Sequence, residues 1–349
     1  MPIKIPERIQ DDHGSEWHWR MFADFCKLKA DVNEPSPHMQ MLGLLTPGFE
    51  PAERVWFTGL YAATYNIPSA MVMYQELPWS AVSADPTVIY SWLQTNWSGI
   101  TTRTERRTVR SPQKINECLL SYIKWAKEDF PQYLALANTP ENYDFVWQDT
   151  DAKLRYMGRY IIIRLLEGLH RFSGLQPILY DIRSIGGWSP KRALGLLFPQ
   201  HLGVLLSPDT KENILFVDGL AYKAMDRFAD EFHVPMTPYV FAAMLCEYRV
   251  AYEKRHQYPG WTIDQEPAYM EKISPYWLEH RGELWVNGIW EQFTDVRKAL
   301  FSEHCLGELN GWSGTRVEPR YTLRDYEYNW SDRLYVYAET TDFSIPVVR

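Results

Sequence analysis

The amino-acid sequence predicts a mainly α-helical fold, and three observations support this prediction. Apolar residues recur at spacings of three and four in several long stretches, which is the period of an amphipathic helix. Ser-Pro and Thr-Pro pairs, which combine a capping hydroxyl with a proline suited to the first helical turn, recur along the chain. Alternating strand patterns are scarce. With 349 residues, 46% of them hydrophobic and 23% charged, the chain is long enough for one or two globular domains.

Sequence patterning divides the chain into three parts. Residues 1–52 contain two clusters of turn-forming residues and are predicted to be an N-terminal lead-in. Residues 53–270 carry the helical patterns and are predicted to form the main helical domain. Residues 271–349 are predicted to be a C-terminal extension packed on that domain, with a small β element at residues 333–339.

The elements of the main domain follow from its apolar pattern. Residues 55–75 carry no charge, but Asn66, Pro68 and three tyrosines make them too polar for a membrane span, so we expect buried soluble core. Amphipathic helices are predicted at residues 151–172, at residues 219–232 and after Pro238. Four scattered cysteines and an N-terminus without an apolar leader predict free thiols, a cytoplasmic location and no membrane association.

Missing motifs exclude several classes of enzyme. The chain has neither GxxxxGK followed by Ser or Thr nor GxGxxG, which excludes a P-loop kinase and a dinucleotide-binding enzyme. It has no HExxH and no CxxC, and its nine histidines show no metal-ligand spacing. The net charge of −8 argues against a general nucleic-acid coat protein but is compatible with a local basic cleft. We therefore predict no cofactor and no metal.

A basic run at residues 103–114 is the first candidate functional feature. It holds five cations and one glutamate in 12 residues. Its guanidinium groups, from Arg103, Arg106, Arg107 and Arg110, suit bidentate contacts to phosphate oxygens. An ordinary solvated run of surface charge explains the same pattern equally well.

A Gly-Gly turn is the second feature. Gly186 and Gly187 lead through Ser189 into an apolar helix that carries Lys191 and Arg192. Such a turn brings backbone amides close to a phosphate, as in the hairpin of helix-hairpin-helix proteins, which holds the sugar-phosphate backbone of DNA without reading its sequence. The alternative is a plain helix-turn-helix corner with glycine as a C-cap.

The uncharged block is the third feature. Tyr61, Tyr65 and Asn66 are polar side chains within apolar sequence, as expected of a pocket wall. Asn66 would bond a base edge, and a tyrosine ring would stack on the base. The competing explanation is that these rings belong to the hydrophobic core.

Four segments together resemble a known enzyme family: FTGLYAATYNIPSAMVMYQ, RTERRTVR, IGGWSPKRA and LCEYRVAYEKRHQYPGWTID. They are similar to the bacteriophage amino acid:DNA transferases of thymine hypermodification. That family is related to α-glutamyl/putrescinyl-thymine pyrophosphorylases and to the helical domain of 5-hydroxymethyluracil DNA kinases. The resemblance covers roughly residues 53–270 and implies a helical domain, both catalytic and DNA-binding, distantly similar to helix-hairpin-helix DNA glycosylases.

The resemblance also implies a reaction. The substrate would be double-stranded DNA carrying phosphorylated 5-hydroxymethyluracil in the cytoplasm of a phage host. A separate 5-hydroxymethyluracil DNA kinase would have made its 5-CH₂–O-(pyro)phosphate, which agrees with the missing P-loop. The amine of a free amino acid or polyamine would then replace the phosphate and form a C–N bond at the thymine methyl carbon.

The steps of that reaction suggest roles for the candidate residues. Once the base has left the stack, the pocket of Tyr61, Tyr65 and Asn66 would receive it. The four arginines of the basic run would stabilise the leaving phosphate. The hairpin at residues 186–192 would hold the DNA backbone.

The amine donor needs two further groups. Glu76 or Asp218 would act as the carboxylate base that deprotonates the amine. Arg159 or Lys223 would bind the carboxylate of the amino acid.

Two other functions fit the same basic segments. A helix-hairpin-helix DNA glycosylase-like enzyme would need an aspartate in the pocket, and Asp209, 18 residues beyond Lys191, lies in a turn-like Ser-Pro-Asp-Thr and is not assigned that role. A non-enzymatic DNA-binding protein would have no reason to place Asn66 and several hydroxyls within an apolar block.

Overall fold

A computed structural model describes residues 14–31, 37–177, 188–207, 210–233, 236, 238–253, 270 and 279. These residues are mainly helical and contain no β-strand, which confirms the mainly α-helical class, while the distant similarity to helix-hairpin-helix glycosylases stays a prediction. The β element predicted at residues 333–339 lies outside them. The α-helices in chain order are α1 Ser15–Asp31, α2 Pro37–Leu45, α3 Pro51–Thr64, α4 Ile67–Glu76, α5 Trp79–Ala84, α6 Val88–Asn96, α7 Pro112–Glu128, α8 Phe130–Tyr133, α9 Pro140–Lys153, α10 Arg159–Ser173, α11 Trp188–Leu197, α12 Leu202–Leu205, α13 Lys211–Phe232 and α14 Pro238–Glu253. Short 3₁₀ helices lie at Trp97–Gly99, Thr104–Val109 and Pro199–His201.

The chain forms two compact units. The first comprises Met1–Ser36, Leu179–Tyr258 and Val317–Arg349, and contains α1 and α11–α14. The second comprises Pro37–Ile178 and Pro259–Arg316, and contains α2–α10. The three-part division expected from the sequence stays a prediction. Composition alone does not show which distant segments of a chain pack together.

Helix α3 lies at the centre of the second unit, packed against α4, α7 and α10. Every residue from Val55 to Thr64 is buried, so the uncharged block is core, as predicted. Glycines allow the close approach of its neighbours. A Cβ at Gly59 would overlap the ring of Tyr122 on α7, and one at Gly168 on α10 would lie 2.8 Å from Cγ2 of Thr58.

The single helix predicted at residues 151–172 is wrong, because two helices, α9 and α10, share this stretch. The backbone between them turns at Tyr156, whose φ of 58° lies in the left-handed region. Leu154 and Met157, which lie in the connection, are nevertheless buried. They continue the apolar spacing across the break, so the sequence pattern does not show where the helix ends.

An aromatic core holds the first unit together. Phe22 of α1 contacts the rings of Phe228, Phe241 and Tyr248 at centroid distances of 4.9–5.7 Å. Residues 15–31, expected to belong to a lead-in, therefore contribute a helix to this core. Helix α13 begins eight residues earlier than predicted because the Thr210 side chain accepts a hydrogen bond from the backbone N–H of Asn213.

The predicted helix starts of the Ser-Pro and Thr-Pro type are partly confirmed. Ser111 and Thr139 cap α7 and α9 by accepting hydrogen bonds from the backbone N–H groups of Lys114 and Asn142. Helix α14 begins at Pro238 as expected. Ser189 differs, because α11 already begins at Trp188 and the Ser189 side chain lies within the first turn.

Candidate functional site

Six polar and aromatic side chains of the second unit form a connected group, which we call the tyrosine–arginine cluster. They come from α2, α3, the C-cap of α3, the residue before the Thr104–Val109 helix, and α10. The members are His38, Tyr61, Tyr65, Arg103, Tyr160 and Arg164.

Tyr65 is the centre of the cluster. It ends α3 in a left-handed conformation with φ of 52°, which costs a residue with a Cβ about 1–2 kcal/mol. Its ring lies 5.3 Å from that of Tyr61, 5.9 Å from that of His38 and 5.6 Å, edge to face, from that of Tyr160. Its hydroxyl and that of Tyr160 are 2.6 Å apart and share a hydrogen bond. The unfavourable backbone conformation is thus held by tertiary contacts of the ring.

The Tyr65 phenol stays protonated at neutral pH. Burial, followed by the neighbouring Tyr160 and Tyr61 hydroxyls, raises the pKa of Tyr65 well above its usual value. A protonated phenol donates a hydrogen bond but does not accept a proton. Tyr65 is therefore suited to binding a carbonyl or phosphate oxygen, and not to acting as a general base.

Arg103 supplies a cation above the Tyr65 ring. Its guanidinium carbon lies 5.7 Å from the ring centroid, and its backbone N–H donates to the Thr64 carbonyl over 3.2 Å. Its Nη1 lies 3.1 Å from His38 Nε2. Because a guanidinium has no acceptor, His38 Nε2 must accept, which assigns the His38 proton to Nδ1. The Arg103 side chain is 21% exposed, so an anion from solvent would reach it.

A second cation, Arg164, lies on the other side of Tyr160. Its guanidinium carbon is 5.2 Å from the centroid of the Tyr160 ring, and its Nε donates to the Tyr160 hydroxyl over 3.3 Å. Its Nη1 donates over 3.2 Å to Glu167, whose side chain is only 4% exposed and also accepts from Arg171 Nε over 3.2 Å. One buried carboxylate thus holds two arginines beside the tyrosines.

Sequence reasoning missed Tyr160, Arg164 and Glu167. The sequence contains a pattern that could have indicated them. Polar residues recur at spacings of four, three and four along α10, at positions 160, 164, 167 and 171, and therefore share one face of the helix. A polar row of this spacing beside an apolar stripe indicates either a solvated face or the wall of a site. Only the packing of α10 against α3 distinguishes the two.

The four arginines of the basic run do not act as one group. The backbone of this segment is kinked at Arg106, where φ is −102° and ψ is 19°. Arg106 is only 1% exposed and Arg103 is half-buried, whereas Arg107 and Arg110 are exposed, and we call these two the outward row. Of the four, the structure brings Arg103 into the cluster.

Each nitrogen of the Arg106 guanidinium donates to a protein acceptor. Its Nε donates to the Ala63 carbonyl over 2.8 Å, its Nη1 to the Tyr156 carbonyl over 2.7 Å, and its Nη2 to Cys118 Sγ over 3.5 Å. Burial lowers the pKa of Arg106, opposed by Cys118. Arg106 therefore joins the end of α3 to the connection between α9 and α10, and we leave it out of the candidate site.

Three other predicted site residues of the second unit lie outside the cluster's hydrogen bonds. Asn66 caps α4, with its Oδ1 accepting from the backbone N–H of Ser69 over 2.8 Å. Arg159 is half-buried at the start of α10, next to Tyr160 in sequence. Glu76 is exposed at the end of α4. Their roles stay predictions.

The remaining predicted site residues belong to the first unit. On α13, Asp218 is half-buried and Lys223 is exposed. Gly186 and Gly187 lie outside the described residues. Lys191 is 5% exposed and Arg192 is half-buried. The roles predicted for these residues remain untested.

The Ser189 hydroxyl is used within the first unit. It lies 2.7 Å from Arg249 Nε, which donates to it, and 3.1 Å from Cys246 Sγ, both on α14. This contact joins α11 to α14, so the packing of the two helices explains Ser189 without a phosphate.

Metal binding and membrane insertion find no support in the described part of the chain. There, no group of three or more His, Cys, Asp or Glu side chains is arranged to hold a metal ion. Nor do any of the described helices combine the length and apolar character needed to cross a membrane.

The geometry defines a helical protein in which buried aromatic rings and two held arginines adjoin a partly exposed tyrosine. This arrangement suits a planar ring that carries an anionic group. A family model described as "Amino acid:DNA transferase" matches residues 49–258, and the chain belongs to this family. The protein is thus a transferase that modifies DNA. Comparison with curated proteins gave no match, and neither did comparison with solved structures.

Proposed function

We propose that the protein replaces the (pyro)phosphate of 5-phosphooxymethyluracil in DNA with the amine of an amino acid or polyamine. The family match over residues 49–258 carries the proposal, and the tyrosine–arginine cluster inside the second unit supports it. An upstream 5-hydroxymethyluracil DNA kinase would supply the activated base.

The reaction makes one bond and breaks one. The amine nitrogen forms a C–N bond with the exocyclic CH₂ carbon, the C–O bond breaks, and the phosphate leaves with the electron pair. The attacking nitrogen loses one proton. The site must therefore hold the uracil ring, stabilise the leaving phosphate and accept a proton.

The tyrosines meet the first demand. Tyr160 is 37% exposed, whereas Tyr65 behind it is 5% exposed, so the pair runs from the surface to the interior. A base that has left the stack would enter by replacing the contact between the two hydroxyls. The protonated Tyr65 phenol would then donate to a uracil carbonyl, and the base would lie against the Tyr65 ring, with Tyr61 behind that ring.

The two cluster arginines meet the second demand. Arg103 is held above Tyr65 by His38 and by Glu105, whose carboxylate lies 3.9 Å from Arg103 Nε, and Arg164 is held beside Tyr160 by Glu167. Fixed cations of this kind stabilise a leaving phosphate without reorganising when its charge develops. The phosphate of a base bound against Tyr65 would lie between them.

The amine donor would be handled by the residues predicted for it. Glu76 or Asp218 would take the proton, and Arg159 or Lys223 would bind the carboxylate of an amino acid donor. Arg159 precedes Tyr160 in α10, which favours it over Lys223 for a donor bound beside the cluster.

The test uses double-stranded DNA containing 5-hydroxymethyluracil that has been phosphorylated by a kinase. The protein is added with a pool of amino acids and polyamines, the DNA is digested, and the nucleosides are analysed by mass spectrometry. The expected product has the mass of thymidine plus the amine less two hydrogens. Intact phosphorylated base with every donor would overturn the proposal, and abasic sites would favour a glycosylase-like enzyme.

Two variants connect the activity to the cluster. Tyr160→Phe removes one hydroxyl from the cluster, and Tyr90→Phe on α6, where the tyrosine is also 37% exposed, is its matched control. Arg103→Gln removes one cation and should slow transfer about 100-fold, which is the effect of losing one fixed transition-state donor. Equal activities of Tyr160→Phe and Tyr90→Phe would remove Tyr160 from the site.

A further inference from the structure

The outward row of the basic run has no role in the fold. Arg107 and Arg110 are exposed, and within the described ranges no ion pair or hydrogen bond holds either guanidinium. Their neighbours Arg103 and Arg106, by contrast, are both held by protein groups. Two unpaired arginines three residues apart, on a chain of net charge −8, are available to an anionic partner.

Two more cations lie beside this row. Lys114 of α7 donates from Nζ to the Thr108 carbonyl over 3.0 Å, which places it next to the loop that carries Arg107 and Arg110. The same Nζ lies 6.0 Å from the centroid of Tyr156, whose neighbour Arg155 has a side chain 69% exposed. We call Arg107, Arg110, Lys114 and Arg155 the basic face.

The basic face keeps a net positive charge. Two acids lie near it: Glu117, whose carboxylate lies 3.7 Å from Arg155 Nη1 and accepts from the Tyr156 hydroxyl over 3.1 Å, and Glu105 of the same loop, which pairs with Arg103 over 3.9 Å. The four cations outnumber these two acids. The exposed Tyr156 ring among them adds an apolar surface suited to a sugar or a base.

We infer that the basic face binds the phosphate backbone of the DNA substrate next to the base held by the tyrosine–arginine cluster. The inference rests on the proposed function. Arg107 and Arg110 are both exposed and lie three residues apart in one short segment, so both are accessible to phosphates of one strand. Arg106 connects the face to the cluster, since it bonds both the Tyr156 carbonyl and the Ala63 carbonyl near the end of α3.

The test measures how salt weakens binding of the full-length protein to a 20-base-pair duplex with unmodified thymine, by fluorescence anisotropy. Each phosphate contact contributes a slope of about −0.9 to the dependence of log K on log salt. The double variant Arg107→Gln with Arg110→Gln should make the slope about 1.8 less negative. If the variant and the wild type bind equally at 1 M salt, the variant then binds about 60-fold more weakly at 0.1 M salt. Arg107→Lys with Arg110→Lys should keep the slope, because the charge remains.

The matched control lies on the same helix. Lys124→Gln with Lys127→Gln removes the same charge near the other end of α7, where Lys124 is 74% exposed. Lys124 lines one pocket with Arg155, but it is ten residues beyond Lys114, about 15 Å along the axis, which exceeds the Debye length of about 10 Å at 0.1 M salt. The control should keep the wild-type slope.

The outcomes separate this inference from the proposed function. Three results would each overturn the inference. The glutamine double variant could keep the wild-type slope, the Lys124 and Lys127 control could lose as much slope as that variant, or the wild-type protein could fail to bind the duplex at low salt. Loss of binding to anionic lipid vesicles without loss of binding to DNA would also overturn it. A normal slope change without any transferred amine would instead overturn the proposed function alone.

Discussion

Replacing Arg106 by methionine tests whether this buried arginine is structural. The substitution keeps most of the side-chain length but removes the guanidinium that bonds the Ala63 and Tyr156 carbonyls. Each carbonyl left without a donor in the interior costs about 1–3 kcal/mol, so we expect the free energy of unfolding to fall by about 2–6 kcal/mol. For a unit of this size each kcal/mol corresponds to about 2–4 °C in melting temperature.

The assay is thermal and urea unfolding followed by tryptophan fluorescence, and Arg107→Met is the matched control. The control makes the same substitution one residue further along at an exposed position, where we expect a change within about 0.5 kcal/mol. Equal stability of the two variants would refute the structural role of Arg106. A normally stable Arg106→Met protein that no longer transfers the amine would assign Arg106 to the substrate instead.

Three further predictions follow from buried contacts. Glu167→Gln removes the charge that compensates two arginines, and should lower the free energy of unfolding in urea by about 1–3 kcal/mol; an unchanged value would contradict this. Gly59→Ala should destabilise by about 1–3 kcal/mol because the new methyl overlaps Tyr122, whereas Gly219→Ala, in open space on α13, should stabilise by about 0.5–1 kcal/mol; equal shifts would show that the ring moves aside. Burial raises the pKa of Tyr74 to about 12 in the folded protein, from about 10 in the unfolded protein. The protonated Tyr74 phenol therefore contributes to stability below pH 10, and this contribution is lost as the pH rises through 12, because the unfolded state ionises first. Tyr74→Phe should therefore lose less stability than wild type between pH 9 and 11.5, measured by urea unfolding.

The sequence predicted well wherever the deciding interaction is local. Ser111 and Thr139 cap their helices because each hydroxyl bonds a backbone N–H three residues away. The uncharged block is buried because it carries no side chain that requires water. Family resemblance rests on the same short segments and agrees with the matched range of residues 49–258.

The sequence-based predictions failed where the spacing of residues along the chain does not report the backbone conformation. Residues 151–172 keep an apolar spacing of three and four across a break, because Leu154 and Met157 point into the core from the connection between α9 and α10. The basic run was treated as one group of four arginines because a cluster of charge has no direction in the sequence. The folded backbone, which is kinked at Arg106, leaves Arg106 buried and Arg103 half-buried but Arg107 and Arg110 exposed.

The helical class, the helix caps, the buried block and the family follow from residues that are near one another in the chain, since propensity, capping and hydrophobic spacing act over a few residues. The candidate site does not. The hydroxyls of Tyr65 and Tyr160 meet across 95 residues, and Arg103 and His38 across 65. Such contacts depend on the packing of helices that are distant in the chain, and no local rule encodes which side chains that packing brings together.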